Sequence, residues 1–199
     1  MDSLPFSQAC ENNKGAILEA IAPRLAAVDE VLEIGSGTGQ HACFFAQSLT
    51  GLAWQPTELE ANRHVLLPRM QEYGGNNLLP AVSLDVCQRP WPLAIPQAIF
   101  TANTLHIMPF EAVESLFAYL GEASPAGALL MVYGPFNYQG RYTSESNAAF
   151  DEWLHTRDPR SAIRDFEKVD ALAQSGGYAL LDDKAMPANN RLLVWQRSV

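Results

Sequence analysis

Short apolar runs alternate along the chain with stretches whose apolar residues recur at helical steps, and that alternation sets the expected elements. Ile17, Leu18, Ile21 and Leu25 share one helical face, and Pro23 is placed to kink or end that helix early. Val31 to Ile34 then reads as a short buried strand, and Ala42 to Leu49 as a helix. Gly51 to Gln55 reads as a second strand closed by Pro56, with a helix from Leu59 to Tyr73. After the turn at Gly74–Asn77, Leu78 to Val86 gives a third strand interrupted by Pro80. Residues 88–97 are proline-rich and irregular, and they lead into a fourth strand, Ala98 to Asn103. A helix from Phe110 to Gly121 carries Val113, Leu116, Phe117 and Leu120 on one face, and Ser124 to Tyr133 supplies a turn and a fifth strand. Helices near Ala148–Thr156 and Asp165–Gln174 follow. Strands Tyr178–Ala185 and Arg191–Gln196, joined by a short loop, close the chain as an antiparallel pair.

Composition narrows this picture. A length of 199 residues with 48% hydrophobic and 18% charged content suits one globular domain with a single core. No repeat, low-complexity tract or internal boundary stands out. The formal net charge of −9 gives no chain-wide basic footprint, which argues against binding bulk nucleic acid or an anionic membrane, although a local basic site stays open. Small molecules or proteins are the expected partners, and the oligomeric state is left open. Cys10, Cys43 and Cys87 lie far apart, so neither a disulfide framework nor a metal site is expected, and no metal enters the reading. Met1-Asp2-Ser3-Leu4-Pro5 carries an acid and no long apolar run, and no later apolar run reaches membrane-spanning length, so the expected location is the cytoplasm.

The chemistry is concentrated around Glu33-Ile34-Gly35-Ser36-Gly37-Thr38-Gly39, where a strand runs into alternate glycines and then a helix. The dinucleotide fingerprint needs its third glycine one position later, and Gln40 stands where that motif wants a small residue. No Gly-Lys-Ser/Thr follows, which excludes a P-loop. The remaining pattern, E-x-G-x-G-x-G, resembles the first motif of the class I S-adenosylmethionine-dependent methyltransferases. That resemblance implies that Gly35, Gly37 and Gly39 pass beneath the methionine part of the cofactor and that Glu33 helps hold it.

In a fold that binds a ribose, an acid about 20 residues past the glycines, at the end of the second strand, accepts bonds from the ribose hydroxyls. Glu58 stands there, with Glu60 in reserve; both also suit the first turn of the next helix. In the methyltransferase pattern the acid after the third strand, here Asp85, takes the adenine amino group while the Val86 amide meets a ring nitrogen. The other reading of Asp85 is a loop-start residue bonding its own backbone. Asn13 and Lys14 serve either a cofactor contact or the start of the first helix. Asn103 and His106 follow the fourth strand, where polar groups of an open α/β sheet face the ligand crevice. Asn103 is taken as a cofactor contact. His106 is taken as a general base, as small-molecule O-methyltransferases often place a histidine there, or else as a loop histidine hydrogen-bonded or stacked in place.

Beyond the glycine turn, the segments VLEIGSGTGQHA, WQPTE, ANTLHIMP, YGPFNYQGRYTSESNAAFDEWL, DPRSAIRDFE and MPANNRLLVWQR together resemble one group of methyltransferase-like proteins, a domain-of-unknown-function family found in bacteria and animals. The resemblance covers nearly the whole chain. It implies a single Rossmann-like α/β domain over residues 1–199, with strand order 3-2-1-4-5-7-6, strand seven antiparallel, and helices on both faces. Residues 1–28 form an N-terminal arm and helix, and residues 134–165 an inserted substrate-side segment. The cofactor is S-adenosylmethionine and the substrate a small-molecule or peptide-like nucleophile.

In that topology the loop after strand five and the final hairpin emerge beside the glycine turn, which makes Tyr138, Arg141, Tyr142, Asn189 and Asn190 the expected polar lining of a substrate pocket. Arg141 suits an anionic substrate or a surface ion pair equally, and one asparagine is equally accounted for by a turn at positive φ. Two rival functions stay open, a catalytically silent methyltransferase-like subunit that binds a partner and, on a similar strand–turn–helix start, a nicotinamide-dependent oxidoreductase.

Overall fold

The first apolar helical face becomes helix α1, Gln8–Ile21, which opens where the Ser7 hydroxyl accepts a bond from the Cys10 amide at 3.3 Å. It buries Ile17, Ala20 and Ile21 and passes into a single 3-10 turn at Pro23, so the proline ends the α-helix without breaking the chain's course. The computed structural model describes residues 4–198; residues 1–3 of the expected arm and Val199 lie outside the described residues. Packing divides the chain into two compact units, the first ending at Thr101 and the second beginning at Ala102.

In the first unit, β1 (Glu30–Ile34) leads through the glycines into α2 (Gln40–Ser48), followed by β2 (Ala53–Glu58), α3 (Arg63–Tyr73), β3 (Val82–Ser83) and β4 (Ala98–Ala102). Phe45, Trp54 and Phe100 meet at ring-centroid distances of 5.2, 5.5 and 5.8 Å and are fully buried. Each ring contributes about 2 kcal/mol through the apolar area it removes from water.

The second strand corrects the sequence reading. It does not stop before Pro56 but runs through it to Glu58, with Glu33 and Pro56 in register on β1 and β2. Trp54 exchanges backbone bonds with the β3 side, at Asn77 and Leu79, so Pro56, two residues on, faces the same side. There the ladder is interrupted at Pro80, and the Gln55 carboxamide bridges the gap by donating to Pro56 O at 3.0 Å and Pro80 O at 2.8 Å. The missing proline N–H thus falls where no strand partner stands. For the same reason the third strand shrinks from the expected Leu78–Val86 to Val82–Ser83, with a single bridge at Trp54 and Leu78. The expected helix from Leu59 begins as a 3-10 turn at Glu60–Asn62 and becomes α-helical only at Arg63.

The second unit continues with α4 (Phe110–Ala123), β5 (Leu129–Gly134), β6 (Phe136–Asn137), α5 (Glu145–Arg157), β7 (Arg164–Asp165), α6 (Phe166–Ser175), β8 (Tyr178–Met186) and β9 (Asn190–Arg197). Phe117 meets Trp195 edge-on at 6.1 Å in its core. The β8–β9 turn places Ala188 and Asn189 at φ 57°, the mirror-image geometry that suits the twist of a hairpin. β6 and β7 pair in parallel as a separate ribbon that the sequence pattern did not predict.

The main sheet has seven strands in the order β3-β2-β1-β4-β5-β9-β8, with β9 antiparallel to both neighbours and helices around it. The two ribbon strands stand outside this sheet, so the expected sixth and seventh strands carry the labels β8 and β9. Among the described residues no helix is long and apolar enough to cross a membrane.

Candidate functional site

β1 delivers the chain into a turn where Gly35, Gly37 and Gly39 have φ of 73°, 54° and 76°, a left-handed path that side-chain-bearing residues resist. At Gly39 a Cβ would also stand 2.8 Å from Leu66 Cδ1, so that leucine would have to shift. Gly37 is different, because a Cβ added to it meets nothing within 4 Å. Its backbone faces open space.

The turn is held from β2. Gly37 N donates to Glu58 Oε2 at 2.8 Å, while Leu59 N and Asn62 Nδ2 donate to Oε1 at 2.9 and 3.3 Å. A carboxylate has about four acceptor sites, so Glu58 keeps one on Oε2. Glu60, the reserve acid, instead pairs with Arg63 at 2.9 Å on the surface. Glu33 lies behind the turn, 2% exposed, with Oε2 accepting from Ser36 Oγ at 2.8 Å and Trp54 Nε1 at 3.0 Å. Burial pushes its carboxyl up to about 7 against the pull of those two bonds, and the nearby Glu58 charge adds to the rise.

After β3, Asp85 accepts from Cys87 N at 2.9 Å and Gln88 Nε2 at 3.2 Å, the loop-start pattern. It also lines an open pocket of about 500 Å³ together with Leu59, Glu60, Ser83 and Pro90. Val86 is buried beside it. Leu59 is 45% exposed at the rim, an apolar surface that sequence reading passed over although it directly follows Glu58.

The N-terminal arm is clamped to the turn. The Gln40 carboxamide exchanges bonds with Ser7, N to Oε1 at 2.6 Å and Nε2 to O at 3.2 Å, and Arg69 donates to Thr38 O at 3.0 Å and Pro5 O at 2.6 Å. Gln40, the residue that spoils a dinucleotide fingerprint, therefore works as a fastener. Asn13 is buried on α1 with its oxygen 2.6 Å from His41 Nε2. Burial, with Lys14 adding to it, depresses His41 to about 4, so the ring is neutral, Nε2 donates, and Asn13 has its amide N–H groups to offer a ligand. Lys14 pairs with Glu11 and lies 4.9 Å from the Phe44 ring.

In the second unit, Asn103 follows β4 at φ 57° and donates its amide to Tyr133 O at 2.8 Å. A Cβ built at Gly134, the end of β5, would stand 3.6 Å from His106 Nδ1 and 3.9 Å from Asn103 Oδ1. Both side chains thus converge on the carboxyl end of β5. His106 is buried edge-on against Phe150 at 5.4 Å. Burial first and the Arg164 charge second depress its imidazole to about 4, with Asp151 opposing.

Gly134 pairs with Arg191, which brings the β8–β9 turn with Asn189 and Asn190 to the same end of β5. Asn189 accepts from Asn147 Nδ2 at 3.2 Å, and Asn190 Nδ2 donates to Pro187 O at 3.0 Å. The Tyr138 hydroxyl donates to Asp183 at 2.8 Å, and burial followed by that carboxylate raises its pKa. The Tyr142 hydroxyl donates at 2.7 Å to Asp151, a buried carboxylate that also accepts from Ile163 N at 2.6 Å. Arg141 closes the Tyr138–Arg141 turn through its backbone and leaves its side chain exposed. Of the expected substrate lining, then, the tyrosines and asparagines already serve internal bonds.

Residues 4–197 match the sequence model of a family described as a protein of unknown function (DUF938). Among solved structures, the chain is similar to the apo form of the S-adenosylmethionine-dependent methyltransferase SibL, with 19% identity over 96% of this chain and TM-score 0.79. Human N-acetylserotonin methyltransferase in complex with SAM gives 14% identity over 96% and TM-score 0.79. The O-methyltransferase NcsB1 from neocarzinostatin biosynthesis, in complex with S-adenosylmethionine and 2-hydroxy-5-methyl naphthoic acid, gives 16% identity over 96% and TM-score 0.75. The chain spans 56%, 53% and 55% of the length of these three, respectively. The likeness is one of fold, that of the class I S-adenosylmethionine-dependent methyltransferases.

Proposed function

Since the chain belongs to the DUF938 family, whose description names no activity, we propose from its glycine turn that it is an S-adenosylmethionine-dependent methyltransferase acting on a small-molecule or peptide-like nucleophile. The observation that carries the reading is Gly37. Its amide is fixed by a buried carboxylate, its φ is left-handed, and the space a Cβ would occupy is open, as a backbone that approaches a ligand requires.

The residues fit the cofactor. Glu58 would use its remaining Oε2 site for a ribose hydroxyl. Asp85 and the Val86 amide would meet the adenine edge, and Leu59 would offer a ring face its apolar surface. Gly35, Gly39 and Glu33 shape and back the turn, while Asn13 would supply a further polar contact. When bound, the cofactor supplies a methyl group on a sulfonium, an electrophile that needs alignment more than activation.

His106, neutral with its pKa depressed to about 4, accepts a hydrogen bond from a hydroxyl or amine and orients it; it removes a proton only weakly. The turnover of the enzyme would therefore show no inflection near pH 6.5 from this group. Arg141, with exposed donors, is the lining residue suited to an anionic substrate, beside Tyr138, Tyr142, Asn189 and Asn190. The naphthoic acid bound by NcsB1 supports a small-molecule acceptor.

Calorimetry with S-adenosylhomocysteine tests the reading. The unmutated protein should bind and Gly37→Val should bind at least about tenfold more weakly, since a branched side chain would enter the open space. Absence of binding by the unmutated protein overturns the reading, and binding of a nicotinamide cofactor instead would identify an oxidoreductase. Labelled methyl transfer into cell extract separates an enzyme from a silent subunit that binds the cofactor.

A further inference from the structure

Leu105, His106, Ile107 and Met108 lie in turns between β4 and α4, yet the carbonyl oxygen of each accepts a bond from residues 161–164. Arg164 Nε donates to Leu105 O at 2.9 Å, Ala162 N to His106 O at 3.0 Å, Ser161 Oγ to Ile107 O at 2.7 Å and Arg164 Nη2 to Met108 O at 2.5 Å. These donors come from the Asp158-Pro159-Arg160-Ser161-Ala162-Ile163-Arg164 stretch, none of whose residues has a role of its own in methyl transfer as proposed.

The guanidinium that leads this grip is buried. Arg164 is 8% exposed and spends its donors on carbonyls, with Arg160 O at 3.0 Å as another and the Phe110 ring 5.6 Å away. Burying a cation is costly unless its donors are met, so bracing a turn alone is a poor reason to place one here. Its own backbone is anchored, because β7 pairs Arg164 with Phe136 of β6, immediately beyond the end of β5. The side chain therefore runs from the chain following β5 to the loop following β4.

Peptide units are planar, so fixing a carbonyl fixes a plane. Leu105 O and His106 O belong to the two planes that flank the His106 Cα, and pinning both sets its φ and ψ and hence the direction of its Cβ. That direction carries the imidazole to the space beside Gly134 and Asn103. We propose that Arg164 is a positioning residue that, with Ala162, aims the His106 ring at the place where the methyl acceptor of the proposed reaction is held. This rests on the methyltransferase reading for its function, but not for its geometry.

The test uses the full chain with Arg164→Lys and Arg164→Met. Lys keeps the charge but cannot reach two carbonyls as a fork does; Met keeps most of the length and no donors. The carbon and proton signals of the His106 ring are followed by NMR against pH, with the Trp195 indole signal as a control for the rest of the unit. In both variants the His106 signals should shift at neutral pH while Trp195 stays in place. In Arg164→Met the His106 midpoint should rise, because a cation that lowers it is gone while Asp151 remains.

S-adenosylhomocysteine affinity should stay within about twofold, and with an acceptor in hand kcat should fall by about tenfold while the cofactor KM hardly moves. Unchanged His106 signals in a folded Arg164→Lys protein overturn the proposal, as does loss of stability with no local change at His106. If the unmutated protein binds no S-adenosylhomocysteine the methyltransferase reading falls, whereas the NMR comparison still decides whether Arg164 aims His106.

Discussion

Glu33 sits where its charge is least welcome. Its carboxyl is raised from 4.5 to about 7 in the folded chain. Between those values the unfolded chain has given up a proton that the folded chain keeps, so stability falls as pH rises through this window, by about 3 kcal/mol for a shift of this size. Glu33→Gln keeps an oxygen to accept from Ser36 and Trp54 and removes the titration. Thermal melts should show the variant gaining on the unmutated protein from pH 4.5 to pH 7.5, and parallel pH curves would contradict the buried, proton-holding state. The acid and the glycines were legible in sequence because left-handed backbone selects glycine and the spacing records the turn. The Asn13–His41 pair and the Gln40 clamp were not, since each joins residues far apart in the chain whose types carry no mark of the contact.

At the scale of elements, the crossing of α4 and α6 shows how a glycine is read only with neighbours in view. A Cβ at Gly121 would stand 2.6 Å from the Gly176 Cα, backbone that cannot swing aside. Gly15, in α1, has nothing within 4 Å of its Cβ position. Helix propensity alone predicts that alanine stabilises both sites by about 0.5–1 kcal/mol. Contact reverses the sign at Gly121, where forcing the helices apart costs about 1–3 kcal/mol. Denaturant midpoints should thus rise for Gly15→Ala and drop for Gly121→Ala; a rise in both would mean that the crossing yields easily.

Helices α1 and α4 were readable because apolar residues recur at helical steps along each of them. The β6–β7 ribbon was not, since two residues in each strand are too few to show a period. Pro56 misled because a proline's effect depends on which side of the strand its missing N–H faces, and only the register with β1 and β3 decides that.

Across the whole molecule the deeply buried titrating groups are unevenly divided. His41, in the first unit, and His106, in the second, are each lowered from 6.5 to about 4, in both cases by burial above all. Each is neutral in the folded chain over that range while the unfolded chain takes up a proton, so each contributes stability that is present above pH 6.5 and lost as the pH falls toward 4. The size is about 3 kcal/mol per histidine. In the first unit Glu33 works the other way between pH 4.5 and 6.5, gaining stability on acidification as His41 loses it, and the two largely cancel. Among the described residues of the second unit, no deeply buried group with a shift of that kind opposes His106. Acidification should therefore loosen the second unit first. Hydrogen exchange, corrected for intrinsic rates, should show protection in β5 and β9 falling more between pH 6.5 and 4.5 than protection in β1 and β2. His106→Gln, which cannot take up the proton, should remove most of that difference, and equal loss in both units of the unmutated protein would show that His106 titrates in the folded chain as freely as in the unfolded one.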